Sequence, residues 1–223
     1  MTEAELLRAR YARRSDEDDP ALPLFLAERE RALRRWISKH RLNAPNLRVL
    51  DIGCGRGGNL QTLLRLGFTS ANLAGIELLE ERLADAKRRV PSDVQLIYGD
   101  ALEVQIPTAS FDVVLFFTVF TSLLDDDYRR RLAARAWQLV KPGGCVLWYD
   151  FCFDNPRNPD VRGIPVREIR ELFPEGTMVA RRITLAPPLA RAAVRIHAAL
   201  YDVVNMVPFL RTHVLCWIEK ARD

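Results

Sequence analysis

Between residues 47 and 151 the chain alternates two kinds of hydrophobic pattern. Short, almost continuous apolar runs are "LRVLDI" (47–52), "ANLAGIEL" (71–78), "DVQLIYGD" (93–100), "FDVVLFFTV" (111–119) and "CVLWYDF" (145–151). Their density of β-branched, aliphatic and aromatic residues predicts strands. Between them lie "GGNLQTLLRLG" (57–67), "EERLADAKRRV" (80–90) and "DDDYRRRLAARAWQLV" (125–140), with apolar residues recurring every three or four positions and charges between. That period predicts helices with one buried stripe. Strands apolar on both sides, separated by amphipathic helices, predict a parallel sheet covered on both faces. "KPGG" (141–144) reads as a turn.

The flanks differ. "AELLRARYARR" predicts a short basic helix and "SDEDDP" a polar break. "ALPLFLAERERALRRWISKH" predicts a second helix with Leu22, Phe25, Leu26, Leu33, Trp36 and Ile37 near one face and charges on the other. After Phe151 a loop rich in Asn, Pro and Asp runs to about residue 165. Then come a short helix "VREIRELFP", a strand "MVARRITL", one helix "PPLARAAVRIHAALYDVVNMV" opened by prolines, and a last strand "THVLCWIEKA". The expected organisation is an N-terminal helical lid, 1–46, and an α/β domain, 47–223, with a cap helix inserted at about 186–209.

Composition narrows the picture little. The chain has 223 residues, 48% hydrophobic and 28% charged, with 33 Lys+Arg against 29 Asp+Glu for a net charge of +4. Acids and bases are interleaved, so an anionic partner is permitted and not demanded. The basic N-terminal run lacks a set of stacking aromatics, which disfavours nucleic acid as a partner. The four cysteines form no C-x-x-C pair and no zinc-type spacing, so no metal site is expected. Free thiols point to a reducing, cytoplasmic compartment. The first residues lack the apolar core of a secretory signal, and no run of 18 apolar residues predicts a membrane span.

Candidate chemistry centres on "VLDIGCGRGG" (49–58), where an apolar strand ends in Asp51 and breaks into Gly53, Gly55, Gly57 and Gly58. Glycine lets backbone approach a ligand closely, and the helix that follows offers unpaired N–H groups. The hexad fits both G-x-G-x-x-G and G-x-G-x-G, so NAD remains open on this stretch alone. Glu77, ending the next strand, can accept from both hydroxyls of a ribose. Asp100, ending the third, can accept from an adenine amino group. Asp51 sits badly beside a pyrophosphate and well beside a cationic amine. Three acids around a glycine turn favour a cationic ligand free of phosphate.

With "GIEL" (75–78), "YGDAL" (98–102), "FDVVLFFTVF" (111–120) and "LVKPGGCVLWYDF" (139–151), this stretch resembles the class I S-adenosylmethionine-dependent methyltransferases in motif order and spacing over residues 47–151. The resemblance implies an α/β, doubly wound, Rossmann-like sheet of seven strands whose last strand runs antiparallel, residues 178–184 and 212–220 forming the final pair. It implies S-adenosyl-L-methionine as cofactor and S-adenosyl-L-homocysteine as product. By position, Gly53 and Gly55 would pack on the methionine part and Asp51 would hold its amino group. Glu77 would bind the ribose and Leu78 flank the adenine. Asp100 and the Ala101 N–H would face the adenine edge, and the backbone near Phe117 and Thr118 would complete the site. Tyr11 and Arg14 would close over the cofactor from the first helix.

Methyl transfer from a sulfonium is an in-line displacement, so the protein must chiefly align the acceptor and exclude water. "FFTVFTS" after the fourth strand lacks the Asn/Asp-Pro-Pro-aromatic signature of enzymes acting on planar base amines. The expected reaction is O-methylation of a small molecule, a sugar or natural product. The expected acceptor contacts lie at Tyr149, Asp150 and the loop bearing Asp154, Asn155, Asn158, Asp160 and Arg162. A hydroxyl acceptor calls for a base, for which His213 is the first candidate and Asp150 the second. The cap segment has three readings: packing on the sheet, covering the substrate, or docking to a lipid-linked substrate. The alternative functions are an RNA or protein methyltransferase, an NAD-dependent oxidoreductase, and a cofactor-binding module without catalysis.

Overall fold

A computed structural model describes residues 2–12, 19–155 and 158–222. Helices α1 (Glu3–Ala12) and α2 (Leu22–Lys39) precede an alternating run. It comprises β1 (Val49–Ile52), α3 (Gly58–Arg65), β2 (Leu73–Glu77), α4 (Glu80–Arg89), β3 (Gln95–Tyr98), β4 (Phe111–Phe117), α5 (Asp126–Leu139) and β5 (Val140–Phe151). The chain ends with α6 (Val166–Leu172), β6 (Thr177–Leu185), α7 (Pro187–Ile196), α8 (Ala199–Asn205) and β7 (Arg211–Glu219).

The seven strands form one sheet in the order β3-β2-β1-β4-β5-β7-β6. β1 through β5 pair in parallel, whereas β7 is antiparallel to both β5 and β6. This is the doubly wound sheet that the resemblance implies. The continuous apolar runs follow from it. One sheet face buries Leu50, Ile76, Val114, Phe116, Val146 and Trp148 beneath α5 and α6, and the other buries Val49, Leu115, Leu147, Leu215 and Trp217 beneath α2, α3 and α4. Successive residues point to opposite faces, so both must be apolar. The order reverses between β1 and β4, and the crevice at their C-terminal ends is where open α/β sheets bind ligands.

Three local expectations change. The helix expected over 187–207 breaks at His197, whose backbone turns extended (φ −165°, ψ 135°) and whose Nδ1 accepts the Ala199 N–H at 3.1 Å, opening α8. The "KPGG" turn lies within β5, where Gly143 takes φ +75° and donates to the Lys220 carbonyl beside the end of β7. On α2, Leu22 and Leu26 face outward and Arg29 is buried with Leu33. The inward stripe of α2 is therefore Phe25, Arg29, Leu33 and Trp36, with a cation in its middle.

Both N-terminal helices are tied down. On α1, the Glu3 carboxylate accepts from Arg10 at 2.6 Å and from the Leu124 N–H at 2.8 Å, and Arg10 also donates to the Ser122 carbonyl. On α2, Glu28 accepts from the Thr184 N–H at 3.0 Å, the Tyr201 hydroxyl at 2.7 Å and Asn205 Nδ2 at 2.8 Å. One carboxylate thus joins α2 to β6 and α8. The four cysteines are free and buried. Among the described residues no helix is long and apolar enough to cross a membrane.

Candidate active site

The site is built where β1, β2, β3 and β4 end. After Ile52 the chain turns at Gly53 (φ +76°), and the N–H groups of Gly53 and Cys54 donate to the Ile76 carbonyl at 2.9 and 3.0 Å. A Cβ on Gly53 would stand 2.8 Å from Val119 Cγ2, so bare backbone forms the wall there. Gly55 has open space around it and is required by its φ of +55°, which aims its N–H at Glu77. Glu77 Oε2 accepts that N–H at 2.7 Å and Oε1 accepts the Leu79 N–H at 2.9 Å. The carboxylate therefore holds the glycine turn and the start of α4 in register.

Asp100 Oδ1 accepts from the Leu102 N–H at 2.9 Å and from the Tyr128 hydroxyl at 2.6 Å. Burial and the Asp100 hydrogen bond push the Tyr128 phenol well above its usual range, so it stays a donor. At the end of β4, Thr118 takes φ +58° and its N–H donates to the Tyr149 carbonyl at 2.7 Å. A non-glycine residue in that region stores strain, a feature concentrated at functional sites.

These elements surround an open cleft with an empty volume of about 720 Å³. Gly53, Glu77, Leu78, Asp100, Ala101, Phe117 and Tyr11 all border it, as does Thr118. Tyr11 reaches over from α1, its hydroxyl 3.1 Å from Ser122 Oγ and its ring 4.4 Å from the Arg82 guanidinium carbon. Arg14 lies outside the described residues. Asp51 is fully buried and, like Gly55, is not among the residues bordering the cleft.

Asp51 belongs to a buried chain of polar groups. Its two carboxylate oxygens accept from Asn59 Nδ2 at 3.3 and 3.1 Å, and Asn59 Oδ1 accepts from Arg29 Nη2 at 2.7 Å. Burial lifts the Asp51 carboxyl to about 7, against the opposing pull of Asn59 and Arg29. The Arg29 guanidinium lies 4.7 Å from the centre of the Phe117 ring and 5.3 Å from that of Tyr149. Burial lowers its pKa, opposed by Tyr149 and Asp51. Arg29, Asn59 and Tyr128 escaped the sequence reading. The available signal for Arg29 was its spacing of four from both Phe25 and Leu33.

His213 and Asp150 take other places. Neither is among the residues bordering the cleft. His213 is 8% exposed, stacks on Tyr149 with ring centres 5.1 Å apart, and lies 6.4 Å from Phe25. Burial holds its pKa down at about 4, leaving a neutral ring near neutral pH. Asp150 accepts the Thr121 hydroxyl at 2.6 Å, the Thr121 N–H at 3.1 Å and the Phe151 N–H at 3.1 Å. It pins the loop after β4 from beneath, and burial raises its carboxyl to about 7. In the loop after β5, Asp154 accepts the Gly163 N–H at 2.9 Å, and Arg162 pairs with Asp126 at 2.6 Å and Glu168 at 3.1 Å. Asn158 and Asp160 border a second recess with Leu7, Arg10, Tyr11 and Ser122, sharing three walls with the cleft.

Comparison with known proteins agrees with this fold. A family described as a methyltransferase domain matches residues 49–144, from β1 into β5. The chain is 30% identical over 140 residues to a fatty-acid O-methyltransferase of Mycolicibacterium smegmatis, covering 60% of this chain and 50% of that one. It is 32% identical over 161 residues to a ubiquinone biosynthesis O-methyltransferase of Burkholderia pseudomallei, covering 70% and 66%. The chain thus spans half to about two thirds of the length of these curated relatives. A solved structure of a SAM-dependent methyltransferase from Archaeoglobus fulgidus superposes with a TM-score of 0.60 at 16% identity, covering 86% of this chain and 94% of that one. At that identity the likeness speaks for the fold.

Proposed function

The chain belongs to the class I S-adenosylmethionine-dependent methyltransferases, and from that premise we propose that it methylates an oxygen of a small, largely apolar acceptor that reaches the enzyme already ionised. The residues present fit the cofactor. The cleft has glycine backbone for one wall and the carboxylates of Glu77 and Asp100 on its border, while the arginine within the glycine turn, Arg56, is paired with Asp85 at 2.7 Å. Beside that turn stand one buried anion and one buried cation, Asp51 and Arg29, joined through Asn59. An amino-acid zwitterion needs that pair of charges. Bound there, S-adenosylmethionine supplies a methyl group activated on a positive sulfur.

In this reading Glu77 accepts from the ribose hydroxyls with the lone pairs left after Gly55 and Leu79, since each carboxylate oxygen can accept twice. Asp100 offers its second oxygen to the adenine amine while Tyr128 fixes the first. Asp51 takes the ammonium and Arg29 the carboxylate of the methionine part. Asp150 acts as a positioning residue through Thr121 and the loop after β4.

One observation carries the acceptor class. The acids and phenols bordering the cleft are already engaged: Glu77 by two backbone N–H groups, Asp100 by Tyr128, and Tyr11 by Ser122. An oxygen that arrives ionised, as a carboxylate or an acidic phenol does near neutral pH, needs no proton removed in the transition state. A sugar hydroxyl does, so this arrangement favours the former. The relatives named for fatty-acid and ubiquinone O-methylation point the same way. The test is transfer from methyl-labelled S-adenosylmethionine to a panel of medium-chain carboxylic acids, substituted phenols and free sugars. Label in acids or phenols supports the reading. Label only in sugars, or only in added RNA or protein, overturns it.

The buried Asp51 gives a pH signature. Its carboxyl is raised from an ordinary value of 3.8 to about 7. A cationic amine binds the ionised form, so binding expels a proton below that pH and affinity rises with pH. S-adenosylhomocysteine should therefore bind about tenfold more tightly at pH 8 than at pH 6, the ratio of ionised Asp51 at the two pH values. Titration calorimetry on wild type and Asp51→Asn checks this: the variant should bind more weakly and lose the slope. A wild-type slope retained in Asp51→Asn would assign the titration elsewhere.

A further inference from the structure

The α7–α8 segment carries a surface that the methyl-transfer reading leaves unused. Its inner side, Ala190, Ala193, Tyr201 and Asn205, is buried toward α2 and β6. Its outer side leaves Ile196 77%, Val203 60%, Met206 75% and Phe209 77% exposed. With Leu189, five of the twelve exposed large apolar side chains among the described residues fall in this one segment. Single exposed apolar residues are ordinary on a protein surface, whereas a concentration of them marks an interaction site.

Charge identifies the occupant. Residues 186–211 contain Arg191, Arg195 and Arg211 against one acid, Asp202. Asp202 is 3.7 Å from Arg31 of α2, and Arg191 pairs with Asp19 at 2.8 Å. Arg211 donates to the Asn205 and Arg182 carbonyls and is in no ion pair among the described residues, and Arg182 lies beside it at the edge of the sheet. Large apolar side chains on short helices, bordered by arginines, form the amphipathic surface that settles into the headgroup region of a bilayer. A second copy fits less well, because a two-fold contact through this face would set each arginine rim against its own image.

We propose that this face docks the protein reversibly on a bilayer containing anionic phospholipids. The topology places that contact usefully. Leu185 pairs with Arg211 and Phe151 with His213, so the segment rises from the sheet edge at which the parallel strands end and the cofactor cleft opens. A molecule dissolved in the bilayer would meet the enzyme on that side. The inference goes beyond the methyl-transfer reading and does not depend on its acceptor.

The experiment is sedimentation of the full chain with vesicles of phosphatidylcholine alone and of phosphatidylcholine with phosphatidylglycerol, at low and high salt. Binding is expected to the anionic vesicles and to fall with salt. Ile196→Ser with Phe209→Ser should lower the partition coefficient at least about tenfold, because two exposed apolar side chains lose their buried area. Arg195→Gln should lower it about fivefold, the loss expected for one cation at an anionic surface. Melting temperature and S-adenosylhomocysteine affinity, unchanged in these surface variants, establish that the fold is intact and separate this test from that of the methyl-transfer reading. Absence of vesicle binding by wild type, or equal binding by the serine variant, overturns the proposal. Concentration-dependent self-association abolished by the serine variant, without vesicle binding, assigns the face to a second copy instead.

Discussion

Glu77→Ala is expected to weaken S-adenosylhomocysteine binding about a hundredfold or more, because two hydrogen bonds to a charged acceptor, each contributing about 1.5–3 kcal/mol, are lost together. The reason lies in what Glu77 does before any ligand arrives. It is 7% exposed, ends β2, and holds the N–H groups of Gly55 and Leu79. Removing it deletes the ribose acceptor and also releases the glycine turn, so ligand and loop effects add. Glu77→Gln keeps part of each. The amide oxygen accepts one of the two N–H groups, its NH2 meets the other donor and the charge is gone, so its losses in affinity and in melting temperature should both lie between wild type and Glu77→Ala. Calorimetric titration with S-adenosylhomocysteine measures the first effect and thermal unfolding the second. Unchanged affinity in Glu77→Ala would remove this residue from the cofactor site.

Arg29→Met is expected to destabilise the fold by about 1–3 kcal/mol, the cost of leaving Asn59 Oδ1 buried without its donor. Asn59 would keep its bond to Asp51 but lose the guanidinium that orients it. Asp51 would lose the nearby cation that opposes its desolvation, and its carboxyl would rise further above 7. The pH at which cofactor affinity levels off should then move upward in Arg29→Met. Arg29→Lys should rescue poorly, since a point charge cannot both reach Asn59 and lie flat over Phe117 and Tyr149. Unfolding curves and S-adenosylhomocysteine titrations across pH on the two variants check this. A loss of stability with cofactor affinity and its pH profile intact would make Arg29 a structural clamp alone. Asp51 and Arg29 share a partner, so a double-mutant cycle on the two should show coupling.

The seven-strand sheet, its switch point and the acids at its edge were legible along the chain for one physical reason. Strands buried on both faces must be apolar at successive positions, and the helices over them must be apolar every third or fourth position. Glu77 and Asp100 interrupt that pattern where strands end, and Gly53 and Gly55 mark turns that require positive φ. All of these are local statements, readable within a few residues of one another.

Tertiary structure decided what depends on residues far apart in sequence. Arg29 reads as one charge among many on an amphipathic helix until α2 is laid against Asn59, thirty residues on. Tyr128 becomes a partner of Asp100 only when α5 packs beside the end of β3. His213 and Asp150, chosen for their chemistry and for strand ends near the ligand edge, face packed neighbours: Tyr149 and Phe25 for one, Thr121 for the other. Adjacent residues on a strand point to opposite sides of the sheet, and only the packing of the neighbouring elements determines which side is cleft and which is core. The sequence by itself determined the layers, the strand-end acids and the family. The fold decided which polar side chains are buried together and which face the ligand, because burial and pairing arise between segments that are distant along the chain.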